Sequence, residues 1–189
     1  MDLLQSYTFT VVDILAVLTA GSHVLLLTLV ICLILEYVRK RPSPLVSWCA
    51  HHGLLLMLIV ATVATLGSFF LSEIAGWNPC KYCWLQRIFM YPQVILLGIA
   101  LWKRDTKIAP YILALCIVGA AIAKYHYFIQ LYDIVASPTN PATPCDASGE
   151  SCVKTPFLIF GYITIPMMAL TAFFLNSLGA ICLLRRQTR

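Results

Sequence analysis

The sequence predicts an all-α integral membrane protein: a four-helix transmembrane bundle with an additional N-terminal transmembrane helix, five spans in all. Three observations predict this. Of the 189 residues, 60% are hydrophobic and 11% charged, whereas soluble domains carry about a quarter charged residues. The apolar residues are gathered into long runs, each close to the roughly 20 residues that cross a bilayer as a helix. The basic residues stand in short clusters at the ends of those runs. The net charge of +5 therefore reads as membrane orientation and not as a nucleic-acid-binding face.

The first run covers residues 14–35. No lysine or arginine precedes it, so it lacks the basic start of a cleavable signal peptide, and it is too long for one. It is expected to be a genuine helix. The second covers 53–70, the third 84–102, the fourth 111–125 and the last 157–184. Arg39, Lys40 and Arg41 follow the first, Lys103, Arg104 and Lys107 the third, and Arg185, Arg186 and Arg189 the last. If all five runs span, these clusters share one side, which the positive-inside rule makes cytoplasmic. The N-terminus and the connections 72–80 and 130–156 then face outward. The stretch Ser137 to Pro144, rich in proline and small polar residues, is expected to be extended and mobile.

There are eight cysteines. Cys32, Cys116 and Cys182 lie in apolar runs, where cysteine behaves as a small hydrophobe, and Cys49 lies near a basic cluster. Cys80 with Cys83, and Cys145 with Cys152, form two pairs in the outward connections, where an oxidising compartment lets disulfides persist. Cys80-Lys81-Tyr82-Cys83 opens the third helix. Helix dipole and unpaired N–H groups favour thiolate there. Cys83, Gln86 and Arg87 share a helix face at spacings of three and four. A guanidinium in that place stabilises a thiolate or a negative quinone oxygen, although an arginine near a helix end also serves simply as an interfacial anchor. The six residues between Cys145 and Cys152 close a loop worth only roughly 2.5 kcal/mol in chain entropy. That suits exchange with a partner, with a plain loop-closing disulfide as the alternative. His126 is placed at the outer end of the fourth helix, as a quinone hydrogen-bonding group or an aromatic-flanked anchor. His23 is a polar residue inside an apolar helix, which marks a functional candidate, with no partner evident. His51 and His52 read as residues of the cytoplasmic interface.

The run Pro79-Cys80-Lys81-Tyr82-Cys83-Trp84-Leu85-Gln86-Arg87-Ile88-Phe89-Met90-Tyr91-Pro92 resembles the signature of the DsbB family of disulfide bond formation proteins, in its BdbC-like branch. The stretch Phe160-Gly161-Tyr162-Ile163-Thr164-Ile165-Pro166 and the compact Cys145–Cys152 pair resemble that branch too. The resemblance covers roughly residues 58–174. It implies a bacterial cytoplasmic-membrane enzyme that reoxidises a DsbA-like thioredoxin-fold partner and passes electrons to the quinone pool, as ubiquinone or menaquinone. By position, it implies that Cys145 meets the partner, Cys152 relays to Cys80, and Cys83 faces the quinone beside Arg87 and Gln86. His126 would lie near the quinone, and no resident metal or nucleic acid is expected. Residues 1–51 are then an extra helix and cytoplasmic connection, 52–184 the DsbB-like bundle, and 185–189 a cytoplasmic basic tail. One rival is a vitamin K epoxide reductase-like quinone enzyme, which the order of the pairs argues against, because there the loop cysteines come first. Others are a metal-handling protein with Cys80, Cys83, Cys145 and Cys152 as thiolate ligands, and a disulfide-stapled scaffold.

Overall fold

The computed structural model describes residues 2–136, 151–153 and 155–187. Cys145 and the proline-rich stretch 137–144 lie outside the described residues. Five helices are long and apolar enough to cross a membrane: α1 (Asp2–Arg39), α2 (Pro44–Phe69), α3 (Lys81–Lys103), α4 (Ala109–Ala136) and α5 (Ile165–Gln187). All five expected spans are present. Their ends differ from the apolar runs because helices continue past the edge of the apolar sequence, as α4 does through His126 and Gln130 to Ala136.

The helix ends have local causes. Lys40 and Arg104 take left-handed φ values of 52° and 54°, the turn that stops a helix. The Arg104 N–H closes α3 onto Ala100 and Leu101 carbonyls. Pro44 sits at the start of α2, where its missing N–H costs nothing. The last apolar run is only partly helical. Residues 157–164 form a tight turn closed by Ile159 and Ile163, with Phe160 and Gly161 at φ 53° and 77°. Gly161 accepts that conformation without strain, and Pro166 lies in the first turn of α5. Hydropathy alone cannot register that turn.

Helices α2, α3, α4 and α5 pack in a closed ring of neighbours, and α1 lies outside it against α5 and α2. Close approach depends on small residues, as expected between helices in lipid. A Cβ on Gly119 of α4 would lie 2.3 Å from the buried Phe173 ring, and one on Gly179 of α5 would lie 2.7 Å from Met57 of α2. A polar cluster ties the centre together. Gln93 of α3 accepts from Asn176 of α5 at 2.9 Å and from the Cys116 thiol of α4 at 3.4 Å. At the end opposite the CxxC motif, Cys49 of α2 and Cys182 of α5 are hydrogen-bonded partners within an apolar cluster that Cys32 of α1 packs against.

Candidate functional site

Cys80 is the N-cap residue of α3, with extended backbone (φ −69°, ψ 172°), and Cys83 lies in its first turn. Both are free thiols, with sulfurs 3.5 Å apart. Cys80 is buried. Its pKa is lowered to about 4 from 9.0, chiefly by the hydrogen bond from the Cys83 thiol, against the opposing effect of burial, and with His126 helping. Within the CxxC motif the thiolate form is favoured at the first cysteine.

His126 is in the interior of α4 and 1% exposed. This corrects the expectation that it ends the helix at an interface, because α4 runs ten residues further. One ring nitrogen, Nε2, is 3.0 Å from the Cys152 carbonyl and 3.7 Å from the Cys80 sulfur. A carbonyl only accepts, so Nε2 carries the proton. Nδ1 then accepts from the Gln86 amide at 3.0 Å. Cys152 is itself disulfide-bonded. One imidazole thus joins the CxxC motif to the segment carrying the second pair, a link that separations of 46 and 26 residues hide from the sequence.

Arg87 is 8% exposed and does not reach outward for the interface. Its Nε donates to Ser68 Oγ at 2.9 Å and its Nη2 to the Ser68 carbonyl at 3.1 Å, while Tyr91 donates to the same Ser68 hydroxyl at 3.1 Å. The guanidinium also lies 5.1 Å from the centre of the Trp84 ring, a cation–π distance. Ser68 stands just before α2 widens into a π-helical turn over Phe70–Ile74, a distortion that often marks functional sites. Sequence reasoning missed Ser68 and Tyr91. The available signal was a hydroxyl inside an apolar run.

Cys83, Gln86 and Arg87 open on a cavity of about 280 Å³ whose other walls are mostly apolar side chains of α1, α2 and α5. This joint lining bears out the shared helix face expected from their spacing. His126 and Cys80 do not line that cavity, and Gln86, which does, hydrogen-bonds His126. The ligand atoms of Cys80, Cys83 and His126 also lie within 4.8 Å of one another, a set able to hold a soft metal ion. A four-thiolate site that includes Cys152 is excluded while its sulfur is in a disulfide.

The family model for "Disulfide bond formation protein DsbB" matches residues 50–183. The chain belongs to the DsbB family. It is 37% identical to the "Probable disulfide formation protein" of Metapseudomonas resinovorans over 148 residues, 78% of this chain and 99% of that protein. It is 42% identical to "Disulfide bond formation protein C" of Bacillus subtilis over 127 residues, 67% of this chain and 88% of that protein. The "SPbeta prophage-derived disulfide bond formation protein B" of Bacillus subtilis is 38% identical over 119 residues, 63% and 76% of the two chains. No solved structure matches. This DsbB-family chain is a multi-pass bacterial membrane protein and a disulfide oxidoreductase, and α1 lies outside the matched region.

Proposed function

We propose that this DsbB-family protein oxidises a DsbA-like thioredoxin-fold partner outside the cytoplasmic membrane and delivers the electron pair to a membrane quinone. The observation that carries the reading is the placing of one CxxC motif between two environments. Cys80 adjoins the Cys152 segment through His126, and Cys83 opens on the apolar cavity with Arg87. The partner's thiolate attacks the Cys145–Cys152 disulfide at Cys145, and the partner leaves as a disulfide. The Cys152 thiolate released then attacks Cys80 of an oxidised Cys80–Cys83 pair and frees Cys83. The Cys145 thiolate, freed when the partner closed its own disulfide, attacks Cys152 and frees Cys80, leaving the loop bridged and the CxxC reduced. A free Cys80–Cys83 dithiol beside a disulfide-bonded Cys152 corresponds to that last state.

The cavity suits a quinone: its walls are mostly apolar, Arg87 and Gln86 supply hydrogen-bond donors, and a thiol stands at its edge. A bound quinone accepts two electrons and two protons and becomes a quinol. In that setting Cys83 presents the sulfur, Arg87 supplies fixed positive charge, and the surrounding apolar side chains keep water out. The deciding experiment mixes the purified protein with a reduced thioredoxin-fold donor and a decyl-tailed ubiquinone or naphthoquinone. Quinol should form in step with donor disulfide, one for one. Donor oxidation without quinol would sink the reading, and dependence on added zinc would favour a metal site at Cys80, Cys83 and His126.

A further inference from the structure

We propose that α1, the helix outside the family match, is a working wall of the quinone cavity. This inference rests on the quinone reading above. Three observations carry it. First, α1 lies against α2 and α5 and lines the same cavity as Cys83 and Arg87, through Leu15, Leu18, Thr19 and Ser22. Without it, the cavity would lose that wall.

Second, α1 is held there by a specific lock. His23 reaches Tyr162 Oη at 3.2 Å and Thr171 Oγ1 at 2.9 Å. The Thr171 hydroxyl already donates to the Met167 carbonyl at 2.8 Å. It must therefore accept from His23, which places the ring proton on Nε2 and leaves Nδ1 to accept from the Tyr162 hydroxyl. In the neutral ring a single tautomer satisfies both hydrogen bonds, and Thr171 itself lines the cavity. The packing agrees. Thr8, Val12, Ala16 and Thr19 form a buried stripe at helical spacing, and bare Gly67 of α2 admits Leu15, which would lie 3.1 Å from a Cβ there.

Third, the α1 wall has a defined polarity. Thr19 and Ser22 each donate their hydroxyl proton to their own helix, to the Leu15 and Leu18 carbonyls at 2.7 Å. Toward the cavity they offer oxygen lone pairs only. Arg87 offers donors only. The two walls thus recognise opposite features: the α3 side suits quinone carbonyls, and the α1 side suits the hydroxyls that appear on reduction.

The test uses the full chain in lipid nanodiscs with decyl-ubiquinone and its 2-methyl-3-decyl naphthoquinone counterpart as probes. Ser22→Trp should raise the quinone KM by at least about tenfold, while Leu27→Trp, on the lipid-facing side of the same helix, should stay within about twofold of wild type. A footprint avoids the risk that tryptophan dislodges the helix. In the near-isosteric Ser22→Cys, saturating quinone should slow alkylation of the new thiol by a membrane-permeant maleimide, read by mass spectrometry of the α1 peptide. In Thr28→Cys it should not. Normal quinone turnover with unprotected Ser22→Cys would overturn the role of α1 and leave the quinone reading standing. Absence of quinol formation by wild type would overturn both.

Discussion

At the scale of single residues, the CxxC motif divides its work by environment. Cys80 has its pKa near 4, below the ordinary 9.0. A depressed thiol pKa stabilises the reduced fold fully above pH 9, and that contribution is lost as pH falls through about 4. Alkylation of Cys80 in the reduced protein by a small reagent should therefore stay level from neutral pH to about pH 5 and decline below it. His126→Ala removes one of the groups that hold the thiolate, so the midpoint should move upward. A midpoint that does not move would show that the Cys83 thiol alone sets it. The same Nε2 proton faces both the Cys152 carbonyl and the Cys80 sulfur, so the substitution should also slow exchange between the two cysteine pairs. In the proposed function Arg87 serves the quinone step. Arg87→Met loses the charge, the bonds to Ser68 and the ring contact, and quinol formation should drop by about a hundredfold, or roughly 3 kcal/mol. Arg87→Lys keeps the charge without the planar fork and should be intermediate. Exchange between the cysteine pairs should survive both, and unchanged quinone kinetics in Arg87→Met would leave the residue a structural tie to Ser68.

At the scale of helices, packing decides what sequence periodicity cannot. Gly119→Ala should destabilise the α4–α5 contact by roughly 1–3 kcal/mol through overpacking, because the new methyl lands on the buried Phe173 ring. Gly21→Ala, with nothing within 4 Å of the added methyl, should cost nothing comparable. Denaturation in detergent compares the two, and equal stability would mean that Phe173 moves aside. What was legible in the sequence follows the same division. Five spans and the shared face of Cys83, Gln86 and Arg87 depend on local spacing, and the helices keep local spacing. The partners of His23 are 139 and 148 residues away, and the burial of His126 depends on a loop beyond α4. No single-chain periodicity encodes either. The turn at 157–164 was hidden for a different reason: its residues are as apolar as the helix they precede.

At the scale of the whole molecule, the basic clusters predict which end faces the cytoplasm. Cys49 is a poor reporter of that, because it is 5% exposed and paired with Cys182, so it would resist reagents from either side. Cysteines introduced at the exposed Ile74, near the CxxC end, and at the exposed Gln187 answer the question better. A membrane-impermeant maleimide should label Ile74→Cys in intact cells and Gln187→Cys only after permeabilisation. The reverse pattern would invert the orientation. The placing of the remaining sulfurs has a meaning of its own. Cys49 lies 19 residues along α2 from Ser68, the residue that touches Arg87, a distance of about 28 Å at helical rise. Cys116 is bonded to Gln93, ten residues and about 15 Å along α3 from Cys83. Thiol exchange requires sulfur to touch sulfur, so each of these gaps is an open circuit. Thiols at the far end can be reduced or oxidised by their own surroundings without short-circuiting the CxxC motif. The bundle behaves as an insulator drawn around a single wire, and in the proposed function that wire ends at the cavity beside Cys83.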